Sequence, residues 1–428
     1  MFSLLGRGTG TAAAMATRRW LQATGTGTGM TGATVAALLQ NMRPCVDEAA
    51  AAAHLARRWA SSSAFPSTLV WEPVPDPESA SMPAGRCGLG AAQLGSHVFV
   101  LGGDVGSPPD GTASSEFVVR KVVSSPNKQQ APKGWVAVQA LNAGPDARFG
   151  HSFSTSESSL SLFMAGGSTG RNARTAEFWR FVVYPQTLSR GNVAGEWHIL
   201  PELPEPRDLH TATLIEGASA SAIIIGGRGP QVATADVWSY SVPSSKWTKL
   251  YDAKAHGPSP DAPVALAGHA AVPSALAPEI VVFGPGYPAL EAAMKESVPD
   301  GVEPANAVWA FNLSSKTWRR MGSDGGGPPL PVAGASAVST DGGRTMIVVG
   351  GATVDPESGE PSWHSQSPWL YDFASESWHP LKSVNEPAGI VAHGVIPCDG
   401  HFLVIGGETA DRTPTMAAWN VTHVDTNE

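Results

Sequence analysis

The sequence predicts an all-β fold in which six four-stranded sheets close into a ring, a six-bladed propeller, and three periodic markers predict it. Short β-branched runs end in paired glycines at Val98–Gly103, Leu160–Gly167, Ala222–Gly227, Ile280–Gly286 (where the pair is split by Pro285), Met346–Gly351 and Phe402–Gly407. The second glycines of these pairs, at 103, 167, 227, 286, 351 and 407, are separated by 64, 60, 59, 65 and 56 residues. Tryptophans at 71, 135, 197, 247, 318 and 378 follow at intervals of 64, 62, 50, 71 and 60. Between the two ladders lies an aromatic run: Phe178-Trp-Arg-Phe181, Val237-Trp-Ser-Tyr240, Val308-Trp-Ala-Phe311, Trp369-Leu-Tyr371 and Ala418-Trp419, with a weaker version around Phe117. Repeats of this length made of four short strands are the mark of propeller blades.

Each element of the unit has a physical reason. One twisted four-stranded sheet has two apolar faces and cannot cover both, so it packs against the next sheet until the ring closes. Glycine at the end of the second strand lets the backbone bend and approach its neighbour without a clashing Cβ. Tryptophan on the outermost strand fills the wedge that widens between adjacent sheets, where a large flat side chain buries most area. The last unit stops after its third strand, and the segment Thr68-Leu-Val-Trp71-Glu-Pro-Val74 is a spare outer strand. Supplying the missing strand from the N-terminal side would close the ring and remove two sheet edges.

Composition agrees with a loop-rich folded chain. Of 428 residues, 47 are Gly and 36 are Pro, charged residues are 15% and hydrophobic ones 42%. The formal net charge of −9 argues against a protein that tracks nucleic-acid phosphates and against a polybasic membrane-surface protein. Three cysteines, Cys45, Cys87 and Cys398, are too scattered for a disulfide framework or a four-cysteine zinc site. The apolar runs are four to six residues long, far below the roughly 18 that a membrane-spanning helix needs.

The first 59 residues read as a separate object. Positions 1–46 hold no Asp or Glu but include Arg7, Arg18, Arg19 and Arg43 among Ser, Thr, Ala and Gly, and Arg57-Arg58-Trp59-Ala60-Ser61-Ser62 follows. This is the pattern of an organellar transit peptide, mitochondrial ahead of plastid, cut near Trp59. The expected organisation is a transit segment at 1–59, a linker at 60–67 and the propeller at 68–428. Gly27-Thr-Gly29-Met-Thr-Gly32 spells a dinucleotide fingerprint, but no strand precedes it, and the fingerprint works only between a buried strand and a helix.

The repeats resemble the kelch family. The strongest units run from Arg148-Phe-Gly-His151 through Ala165-Gly-Gly167 to Trp197, and from Arg207-Asp-Leu-His210 through Gly226-Gly227 to Trp247. The fourth unit keeps His269 without the preceding Arg, the fifth has neither, and the sixth keeps only His393. The resemblance implies that the loops after the glycine pairs open on a face that binds protein partners. It assigns Asp104, Ser168, Arg171, Arg174, Arg228, Tyr287 and Arg412 to that face, the arginines as bidentate donors to a partner's carboxylates. The expected function is a non-catalytic scaffold, a subunit or accessory factor of a larger mitochondrial assembly.

Other chemistries were weighed on their residues. His151, His210, His269 and His393 recur at one repeat position and could ring a metal, but repeat architecture, with each imidazole bonding local backbone, accounts for them. Five tyrosines, two already used as strand aromatics, leave little for a copper-oxidase site. Ser339-Thr-Asp341-Gly-Gly343-Arg-Thr345 is a single copy of a sialidase-like turn that an Asp-Gly hairpin explains. No catalytic residue, metal or cofactor is therefore assigned. The alternative is a carbohydrate-active or metal-dependent enzyme using the central channel.

Overall fold

In the computed structural model the described residues are 67–74, 83–106, 112–122, 134–170, 173–189, 192–257, 259–284, 307–322, 333–354, 361–362, 368–398 and 400–425. The expected transit segment, its cut near Trp59 and nearly all of the linker lie outside them. So do Arg171 and Tyr287.

Six antiparallel sheets form the propeller of residues 65–428. In each complete sheet the strands lie side by side in chain order, as in the second blade, Ser152–Ser156, Ser161–Ala165, Phe178–Val183 and Ala194–Leu200. The third blade, Thr211–Ile215, Ser221–Arg228, Ala233–Ser241 and Lys246–Tyr251, repeats the plan. The sixth blade closes as the sequence predicts. Its third strand, Ala418–Asp425, takes the N-terminal strand Ser67–Pro73 as its outer neighbour, with Trp71 opposite Val421 and Pro73 opposite Trp419.

The core is divided among the seams between blades. Six apolar clusters fill six seams, and each draws on two neighbouring sheets, as when Phe99, Leu101 and Val119 of the first blade meet Leu162, Phe181 and Trp197 of the second. The ladder tryptophan of each blade sits in the seam with the blade before it. Trp197 lies 5.0 Å from Phe181 and 5.4 Å from Phe117, ring centre to ring centre. Burial of these faces, at about 25 cal/mol per Å² of apolar surface, is the dominant force that holds the ring closed.

Two seams carry an extra edge. The chain leaving the first blade runs parallel to the outer strand of the second at Gln139–Ala140, and the chain leaving the fifth does the same for the sixth at Lys382–Val384. Beyond the short pairing in the second blade, the Asn142 side chain takes over. It donates to Trp197 O at 2.7 Å and accepts from Trp197 N at 2.8 Å, completing the backbone bonds of an otherwise open edge.

Candidate functional site

Because the strands alternate in direction, the start of each innermost strand and the glycine pair ending the second strand lie on one face. The loops of this rim are built from a four-residue repeat that precedes each innermost strand: Arg86-Cys-Gly-Leu89, Arg148-Phe-Gly-His151, Arg207-Asp-Leu-His210, Leu266-Ala-Gly-His269, Val332-Ala-Gly-Ala335 and Ile390-Val-Ala-His393.

The third residue of the repeat forms a ring of its own. Gly88 N donates to Ala392 O, Ala392 N to Gly334 O, Gly334 N to Gly268 O, Gly268 N to Leu209 O, Leu209 N to Gly150 O and Gly150 N to Gly88 O, all at 2.8–3.0 Å. Each of the six blades gives and takes one backbone bond, so the circle is sealed by hydrogen bonds as well as by packing. All six residues have φ between 50° and 66°, a left-handed conformation that glycine adopts at little cost and that Leu209 and Ala392 hold at the expense of about 1 kcal/mol each.

The first residue of the repeat receives the glycine pair of the preceding blade. Gly167 N donates to Arg207 O at 2.9 Å, and a Cβ on Gly166 would lie 2.4 Å from that same carbonyl, which is why the pair must be glycine. In the first three blades this residue is a buried arginine. Arg148 donates to Gly166 O at 3.1 Å and to Glu177 at 2.5 Å. Arg207 donates to Gly226 O at 2.8 Å and to both oxygens of Asp236 at 2.8 and 3.2 Å, and Arg86 bonds Gly102 O and Glu116. Each guanidinium thus ties the glycine pair of its own blade to the acid that opens the third strand.

The fourth residue is histidine in four blades, and its partners differ from the expectation of local backbone. His210 shares a 2.9 Å hydrogen bond with the Ser152 hydroxyl, and His269 shares one of 3.0 Å with Thr211 Oγ1, in each case the first residue of the innermost strand of the preceding blade. Where that blade has Gly90 instead, the His151 ring occupies the space a Cβ would fill. The imidazoles face a neighbouring sheet across the seam because the repeat delivers them under its glycine pair. Burial drives their pKa values down, to about 3 for His151 and His269 and to about 4 for His393, so they are neutral at ordinary pH. Among the described residues, no three His, Cys, Asp or Glu side chains converge as a metal site.

The second residue of the repeat bridges to the residue that follows the glycine pair of its own blade: Cys87 to Asp104, Phe149 to Ser168, Asp208 to Arg228, Ala333 to Ala352 and Val391 to Glu408. Five of the six blades carry this bridge among the described residues, and the sequence-predicted residues that are described fall into two groups on the rim. Ser168, Arg174 and Arg228 come together at the seam of the second and third blades. Asp208, 1% exposed, accepts from Arg174 Nε at 3.1 Å and from Arg228 Nε and Nη2 at 3.1 and 2.8 Å, and the Ser168 backbone pairs with Arg174. Here the bidentate fork of Arg228 already holds a carboxylate of its own chain, while its side chain stays 43% exposed. Asp104 and Arg412 lie apart from these, at the seam of the sixth and first blades. Asp104 accepts from Gly106 N and Thr112 N and folds its own loop.

Sequence reasoning passed over Asp208, Cys87 and Glu408. The Cys87 thiol lies 4.0 Å from Glu408, and burial, with Glu408 and Asp104 nearby, pushes it up to about 12, which leaves it protonated and a poor nucleophile. Burial also raises Glu408, with Asp104 adding to the effect and Arg412 opposing it. All three were findable, since each sits at a fixed offset from a histidine-position residue or a glycine pair. In the sixth blade the residue equivalent to Asp104, Ser168 and Arg228 is Glu408, whereas Arg412 belongs to the turn beyond it.

Described residues line cavities on both faces of the ring. One of about 350 Å³ opens on the rim between the third and fourth blades, and one of about 480 Å³ lies on the opposite face, where Cys398 Sγ donates to Gln93 Oε1 at 3.3 Å beside His401. A family model described as Attractin/LZTR1 beta-propeller matches residues 127–414.

Proposed function

The chain belongs to the Attractin/LZTR1 β-propeller family, a kelch-type family of protein-interaction modules, and from this premise we propose that it serves as a rigid scaffold within a larger mitochondrial assembly. The observation that carries the reading is the division of labour on the rim. The first and fourth residues of every described repeat are committed to the seams. The residues that follow the glycine pairs are held in register by one bridge in each of the five blades where this position is described. Rigid elements that display variable loops are suited to recognition. The acid-poor, arginine-bearing first 46 residues and the Arg-Arg-Trp run at 57–59 support import into mitochondria.

The test has two arms. Full chain and a chain lacking residues 1–59, each with a C-terminal fluorescent tag, are compared in cells, and the N-terminus of the mature protein is sequenced. The expected result is mitochondrial signal for the first, its loss in the second, and a mature start near Trp59. Size fractionation of the organelle should place the mature chain far above its own mass, and a sharp monomer peak there would remove the assembly role.

A further inference from the structure

We draw no further inference here: the strongest candidate, the cavity of about 480 Å³ on the face opposite the rim, where Cys398 and His401 of the sixth blade meet Gln93 of the first, rests on a lone cysteine whose thiol already donates to Gln93 Oε1, and no second feature among the described residues points to a ligand that would fill it.

Discussion

The first three blades and the last three solve the same seam with opposite chemistry. At the first position of the four-residue repeat, blades one to three carry Arg86, Arg148 and Arg207, and four to six carry Leu266, Val332 and Ile390. At the position two residues before the aromatic-run residue Val118, Trp179, Trp238, Trp309, Trp369 or Trp419, the first three blades carry Glu116, Glu177 and Asp236, and the last three Ala307, Ser367 and Ala417. The two positions change together, arginine with acid and aliphatic with a small residue. Wherever both positions are described, the first residue's carbonyl keeps the same bond to the preceding blade, as Leu266 O does with Gly227 N at 2.7 Å. The backbone geometry is thus independent of the side chain, and the polar pair is one of two ways to fill the space. Burying an ion pair gains little over well-packed apolar groups, whereas burying half of one is costly.

A remnant of the polar solution persists in the fourth blade. Trp179 donates its indole N–H to Glu177 at 2.9 Å and Trp238 donates to Asp236 at 2.6 Å. Trp309 occupies the equivalent place two residues after Ala307, fully buried, with its indole N–H unpaired.

The largest effect should come from forcing the wrong half of the pair into the fourth blade. Leu266→Arg buries a charge with no acid opposite, and urea unfolding should show a loss of about 3–5 kcal/mol or outright failure to fold. Adding Ala307→Asp supplies the carboxylate to the guanidinium and a partner to the Trp309 indole, and should restore more than half of the loss. If the double variant is no better than the single one, the two positions are not coupled and the comparison between blade halves fails.

A smaller effect is expected in the reverse direction. Arg148→Leu leaves the Gly166 carbonyl without its guanidinium donor and Glu177 with the Trp179 indole alone, and should cost about 2–4 kcal/mol. Glu177 is partly exposed and regains water, which keeps the cost below that of the fourth-blade variant. Arg148→Leu with Glu177→Ala recreates the fourth-blade chemistry and should recover to within about 1 kcal/mol of the parent, read from the same denaturation midpoints.

Much of this was legible in the sequence and some of it was not, for a physical reason. The glycine pairs, tryptophans and Arg-His repeat fix six sheets and even the closing strand at Trp71, because a repeating unit imposes its constraints at a repeating interval. The residues after the glycine pairs follow from the same period, and Asp104, Ser168, Arg174 and Arg228, which are described, stand on the rim. The Asp208 clasp was not, although Asp208 stands next to Arg207 in the motif itself. Its contact with Arg174 joins loops of two different blades, and the period records what each blade repeats rather than what one blade does to the next. The histidines teach the same lesson, for their position is periodic while their hydroxyl partners, Ser152 and Thr211, belong to the neighbouring sheet.

Those histidines give the smallest and most graded test of how the seams differ. The first and fifth blades place Leu89 and Ala335 where the others place histidine, so an apolar residue is compatible with the site. Burial first, and then Arg148 for His151, holds these rings far below the ordinary value near 6.5. His210 lies well below it too, through burial and then Arg207, His269 and His151. A base whose pKa is depressed in the folded state contributes stability that is complete above about pH 6.5 and is lost as pH falls toward the folded value. Unfolding below pH 6.5 therefore takes up protons, and His151, His269 and His393 each add about 1.4 kcal/mol per pH unit to the slope of stability against pH down to about pH 4, with His210 acting in the same direction. The depressed carboxylates Glu177 and Glu376 act in the same direction but only below their own ordinary range, so the two windows separate. His393→Leu, which copies the first blade, should flatten the pH 4.5–6 limb by one histidine's share while leaving stability at pH 8 within about 1 kcal/mol of the parent. Urea titrations at half-unit steps of pH measure both quantities. An unchanged slope would mean that His393 already carries a proton in the folded ring, and the seam between the fifth and sixth blades would then hold a charge that its aliphatic neighbours have no means to balance.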